Sequence, residues 1–157
     1  YNYKNTGRPQ VQGAPTQKFR SNYLDIPNSP LYPFGYGLSY TTFTYSDIRL
    51  SNSTIRAGQP IRAAVTLSNT GNYDGEEVVQ LYIYDPVASV TQPLKKLKGF
   101  QKIFLKKGES REIKFMITTE ELKFFNADLK WVAEPGDFKV FIGTDSENVK
   151  EAAFILK

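Results

Sequence analysis

A chain of 157 residues with a formal net charge of +4 is long enough to bury a core of its own and suits one domain plus an extended segment. It contains no cysteine and no histidine, which removes disulfides, thiolate and nearly all zinc sites, Ser-His-Asp and Cys-His nucleophile systems, and imidazole general bases. No apolar run approaches the roughly 20 residues that span a bilayer, and with Tyr1 at its start and no signal-like stretch the chain reads as an internal or C-terminal piece of a longer polypeptide.

Residues 1–42 hold five of the nine prolines. Their apolar positions follow neither a helical nor a strand period, so an extended, irregular connector is expected. Its last part, Leu31-Tyr-Pro-Phe-Gly-Tyr-Gly-Leu-Ser-Tyr-Thr-Thr-Phe43, places five aromatics, two glycines and a proline in thirteen positions. Pro33 fixes one φ angle, Gly35 and Gly37 permit unusual ones, and the rings offer far more apolar surface than a mobile linker carries. The segment is therefore expected to be ordered and packed.

From Phe43 onward the pattern becomes that of strands. Ile61, Ala63, Val65 and Leu67 alternate with more polar positions, as do Ile113, Phe115 and Ile117, and then Phe138, Val140 and Ile142. Strands are predicted at 44–51, 61–69, 76–84, 97–105, 110–117, 137–143 and 150–156. Between them lie turn chemistries at Ala57-Gly-Gln-Pro60, Asn69-Thr-Gly71, Asp74-Gly75, Lys107-Gly-Glu109 and Glu134-Pro-Gly136. Thr118-Thr-Glu-Glu-Leu122 has the form of a capped single helical turn, and Phe124 to Val132 that of an inserted hairpin. About seven short strands without a cysteine pair predict an all-β, immunoglobulin-like sandwich of the fibronectin type III kind over 43–157, with 1–42 as its connector.

Several segments taken in order resemble the family 3 glycoside hydrolases, the β-glucosidases and β-xylosidases. Tyr1-Asn-Tyr-Lys-Asn-Thr-Gly-Arg-Pro9 and Phe19-Arg-Ser-Asn-Tyr-Leu-Asp25 are similar to the exit of that family's α/β sandwich domain, and residues 31–43 to the connection that follows. Asn69-Thr-Gly71, Gly75-Glu-Glu-Val-Val-Gln-Leu-Tyr-Ile83, Leu97-Lys-Gly-Phe100 and Glu134-Pro-Gly136 are similar to its fibronectin type III-like domain. The resemblance implies a parent enzyme that removes terminal β-linked sugars, glucose or else xylose, by a retaining mechanism with two carboxylates. It also implies that the nucleophile lies in a catalytic barrel and the acid/base in the α/β sandwich domain, neither of which is in this sequence. No catalytic residue is carried over, no cofactor or metal is expected, and a periplasmic or secreted location follows by analogy.

The residues agree with a non-catalytic reading. Most of the sixteen carboxylates, Asp74, Glu76, Glu109, Glu112, Glu120, Glu121, Asp128, Glu134, Asp145 and Glu147 among them, fall beside turns or on outward strand positions, where solvated charge belongs. Lys95, Lys96, Lys98, Lys102, Lys106 and Lys107 run along a strand that also carries Leu97, Phe100, Ile103 and Leu105. That is the composition of a protected edge strand rather than of a nucleic-acid groove. Trp131 is expected to cover an end of the sandwich, with sugar stacking as the alternative.

One face breaks the pattern. If Val79, Leu81 and Ile83 point inward, Val78, Gln80, Tyr82 and Tyr84 point outward, and on the neighbouring strand so does Phe141. An exposed aromatic face of this kind calls for a cover. Coverage by the connector together with docking onto the catalytic domains is the favoured reading, and a sugar platform the alternative. Tyr32, Phe34, Tyr36, Tyr40, Tyr82, Tyr84 and Phe141 are the candidate interdomain contacts. The expected partners are the barrel and α/β sandwich domains of the same polypeptide and the oligosaccharide or β-glucoside substrate of the parent, with no nucleic acid and no membrane span.

Overall fold

The computed structural model describes residues 28–157 together with Phe19, Ser21, Tyr23 and Asp25; the expectations for Tyr1–Pro9 and for the rest of the segment up to residue 27 lie outside the described residues. The strands are β1 (Phe43–Tyr45), β2 (Arg49–Leu50), β3 (Thr54–Ile55), β4 (Ile61–Asn69), β5 (Gly75–Tyr84), β6 (Lys96–Leu105), β7 (Ser110–Ile117), β8 (Phe124–Phe125), β9 (Trp131–Val132), β10 (Gly136–Gly143) and β11 (Val149–Leu156), with one short helix, α1 (Thr119–Leu122). In one sheet β4 pairs with β7 on one edge and with β1 and β2 in succession on the other. The second sheet has the order β3-β11-β10-β5-β6, and β8 and β9 form a separate hairpin. This is the predicted all-β, fibronectin type III-like sandwich.

The core follows from the period of two. Ile61, Ala63, Val65 and Leu67 of β4 and Ile113, Phe115 and Ile117 of β7 face Val79, Leu81 and Ile83 of β5 and Phe138, Val140 and Ile142 of β10 in one buried cluster. Phe138 and Phe154, directly opposed across β10 and β11, stack with ring centroids 5.6 Å apart. Each of the larger side chains contributes about 1.5–3 kcal/mol of burial, enough for a one-residue slip of register to be excluded.

Two details depart from the expected strands. The first, 44–51, is broken into β1 and β2, and β3 follows it. The Ser46 hydroxyl accepts from Thr66 N–H and the Ser51 hydroxyl from Arg62 N–H, at 2.8 and 3.0 Å, so serine side chains replace ladder groups where the strand kinks. The chain then changes sheets, and β3 pairs parallel with β11. The second departure is a bulge in β6. Leu81 pairs with Gly99 but Tyr82 pairs with Leu97, leaving Lys98 as the extra residue. As a result Leu97, Phe100 and Phe104 lie on the outer face while Ile103 and Leu105 face inward. The expected helical turn is present: Thr118 caps α1, and Glu121 closes a capping box on it. The lysine-bearing strand is an edge, as its composition suggested, with Lys102 paired to Glu76 at 2.6 Å.

Candidate functional site

Register brings Phe141 directly opposite Tyr82, and Lys139 opposite Tyr84, on the outer face of the five-stranded sheet. Tyr82 and Phe141 are nonetheless only 1% and 6% exposed, and Tyr84 is half-buried. The cover over Tyr82 is the connector. The Phe34 ring meets Tyr82 edge-on, with centroids 6.4 Å apart and an interplanar angle of 81°. Lys95 lies over Phe141, its Nζ 4.9 Å from the ring centroid, and donates to the Ser146 carbonyl. Burial holds the Lys95 amine below its ordinary range.

Gln80 organises this contact. Its Nε2 donates to the carbonyls of Gly35, at 3.0 Å, and of Thr144, while its Oε1 accepts from the Tyr82 hydroxyl. Ser146 N–H donates to the Phe34 carbonyl at 2.9 Å. Gly35 has φ +82°, and a Cβ there would land on the Gln80 carboxamide, so both the turn and the close approach require glycine. Burial, and next the Asp145 carboxylate, push the Tyr82 hydroxyl up to about 12, so at neutral pH it remains a donor. Asp145 is itself buried and accepts from Glu147 N–H, Asn148 N–H and Asn148 Nδ2, each at 2.8 Å. It thereby fixes the β10–β11 loop that presents Thr144 and Ser146 to the connector.

A second anchor lies seven residues on. Thr42 O accepts from Thr70 N–H at 2.8 Å and from Gly71 N–H at 3.2 Å, and the Thr41 hydroxyl donates to Asn69 Oδ1 at 2.7 Å. Asn69, 1% exposed, also donates through Nδ2 to Tyr73 O and Leu105 O. A Cβ on Gly71 would collide with Thr41 and with the Thr42 amide. The connector is therefore pinned at Phe34–Gly35 and again at Thr41–Thr42, and the stretch between stands outward. Leu38 is 89% and Tyr40 97% exposed. Tyr32 and Tyr36 pack on each other, with centroids 5.1 Å apart, and remain largely open.

Of the sequence candidates, Phe34, Tyr82 and Phe141 are thus gathered at the first anchor, Tyr84 lies further along the same face, and Tyr32, Tyr36 and Tyr40 sit outside it. With Tyr82 and Phe141 closed over, that face is not an open sugar platform. Gln80, Asp145, Ser146 and Asn69 were not singled out from sequence as anchors. The Asp145-Ser-Glu-Asn148 stretch did carry a turn signal, an Asp able to bond its own backbone two residues on. Two of the carboxylates have ordinary partners: Glu77, buried, accepts from the Tyr45 hydroxyl at 2.8 Å, and burial, then Glu77, raises the Tyr45 pKa far above its ordinary value, while Arg49 and Lys114 hold Glu112. Among the described residues no group of three or more acidic side chains is placed to hold a metal ion.

The fibronectin type III-like domain family matches residues 77–146. A periplasmic β-glucosidase of Salmonella typhimurium is 51% identical over 99% of this chain, which spans 20% of that protein. A β-xylosidase of Formosa agariphila is 44% identical over 89% of this chain and 19% of its own length. A β-glucosidase from Listeria innocua, solved with laminaribiose, superposes with a TM-score of 0.94 at 40% identity over 100% of this chain and 22% of that one. The chain thus spans about a fifth of the length of the relatives it matches, and it belongs to the fibronectin type III-like domains of the family 3 glycoside hydrolases.

Proposed function

We propose that residues 43–157 are a non-catalytic domain that stabilises and orients the catalytic domains of a family 3 β-glucosidase, and that residues 1–42 are its connector from a preceding α/β sandwich domain. The observation that carries this reading is the doubly pinned strap. Leu38 and Tyr40 are held outward by anchors on both sides, and apolar side chains fixed in that way await a surface to cover them. The catalytic barrel and α/β sandwich domain of the same polypeptide are the proposed partners, met by Tyr32, Tyr36 and Tyr40 from the strap. Tyr82 supports it from the sheet, with Phe141 beside Tyr82 and Tyr84 further along the same face.

The parent's activity is the hydrolysis of O-glycosyl bonds at terminal β-linked sugars of oligosaccharides or β-glucosides, in the periplasm or outside the cell, as the Salmonella relative's name supports for that protein. Xylosides are the second reading, because β-xylosidases stand among the relatives. Among the described residues no helix is long and apolar enough to cross a membrane. The isolated chain is expected to release no nitrophenol from nitrophenyl β-glucoside or β-xyloside, whereas the full-length parent does so. Hydrolysis by the purified chain that disappears when one of its own carboxylates is replaced would overturn the non-catalytic assignment.

A further inference from the structure

We propose that the β8–β9 hairpin is a small stacking platform for soluble β-glucan chains, separate from the strap. Trp131 lies directly opposite Phe125 across the hairpin, with ring centroids 4.8 Å apart and planes inclined at 50°. Phe125 and Trp131 are 60% and 48% exposed. The hairpin beneath them is rigidly held. Phe124 is buried, with the Lys96 amine 5.7 Å from its ring centroid, and Asn126 Oδ1 accepts from Asp128 N–H and Lys130 N–H, closing the tip. Glu134 accepts from Ser89 N–H at 2.9 Å and ties the hairpin's base to the β5–β6 loop.

The chemistry fits a sugar. A β-linked glucose carries its hydroxyls equatorially and presents C–H groups on both faces, which the electron-rich faces of indole and phenyl rings attract. The ring spacing is of the order of one sugar's advance along an extended glucan. The inclined planes suit a chain that twists from one residue to the next. At the tip, the exposed Asp128 carboxylate and Lys130 amine make no hydrogen bond or ion pair among the described residues and are free for sugar hydroxyls. Two half-exposed rings offer on the order of 200 Å², well short of the roughly 800 Å² per partner that a stable protein interface needs. The choice of a β-glucan rests on the proposed activity of the parent.

Trp131 is the only tryptophan, so intrinsic fluorescence reads this hairpin alone. Titration of the 157-residue chain with laminarihexaose should give a saturable change in tryptophan emission. Phe125→Ala should weaken the binding roughly tenfold, and Phe125→Leu, which keeps the apolar bulk without the ring face, should weaken it likewise should the alanine variant fold poorly. A flat titration, or unchanged affinity in the folded Phe125 variant, overturns the platform. Activity of the full-length parent on nitrophenyl β-glucoside is scored separately. An active parent with a flat titration rejects the platform alone, and an inactive parent with a saturable titration rejects the proposed activity alone.

Discussion

Asn69→Ala is expected to destabilise the chain by about 3 kcal/mol, because it strips partners from several buried backbone groups at once and each costs about 1–3 kcal/mol when left unsatisfied. The side chain bonds Thr41, Gly71 N–H, Tyr73 O and Leu105 O, and so joins the end of the connector, the β4–β5 loop and the end of β6. A loss of that size corresponds to a fall of about 10 °C in unfolding midpoint for a domain of this length. Calorimetry checks it, with Ser68→Ala, half-buried and bonded through its hydroxyl to that of Ser110, as the mild comparison. Equal midpoints for the two variants would show that water replaces the Asn69 amide without cost.

Gly35→Ala should have the second large effect, concentrated in the connector rather than spread over the fold. The left-handed backbone at φ +82° costs an alanine about 1–2 kcal/mol, and the added methyl displaces the Gln80 carboxamide. The Phe34 ring should then lift from Tyr82, and Ser146 N–H, which donates to Phe34 O, should exchange with solvent at least about tenfold faster, since 1.4 kcal/mol of opening is one decade. Hydrogen exchange read by mass spectrometry or NMR detects this. Because Gln80 is the group struck, Gln80→Ala should cost little more in the Gly35→Ala background than Gly35→Ala alone, a coupling that a double-mutant cycle measures. Additive effects would place the anchor elsewhere.

The sandwich was legible in the sequence wherever one strand face is buried and the other wet. Ile61, Ala63, Val65 and Leu67, and Ile113, Phe115 and Ile117, keep the period of two despite Ala64 and Met116 between them, and both emerge as the strands expected. The breaks were not legible. Ser46 and Ser51 look like ordinary strand residues until their hydroxyls are seen to accept from β4 amides. The bulge at Lys98 left a faint trace, because Leu97, Phe100 and Ile103 recur every third residue and cannot share one face of a regular strand. The aromatic outer face could be read from alternation alone, since Tyr82 and Phe141 occupy positions where solvent-facing residues belong. Gln80 could not be read in the same way, because its role depends on the carbonyls of Gly35 and Thr144, 45 and 64 residues away along the chain. Trp131 was visible as a lone aromatic, but its partner Phe125 became apparent only with the hairpin register.

The strap between the two anchors is where the proposed orienting role meets its most direct test. Hydroxyl-radical footprinting compares side-chain oxidation at Leu38 and Tyr40 in the 157-residue chain and in the full-length parent. In the isolated chain both are open to solvent, 89% and 97% exposed, and should label heavily. In the parent both should be strongly protected, with buried Tyr82 unlabelled in either form. Equal labelling of Leu38 and Tyr40 in chain and parent would contradict the account, because a strap that covers nothing in the whole enzyme orients nothing.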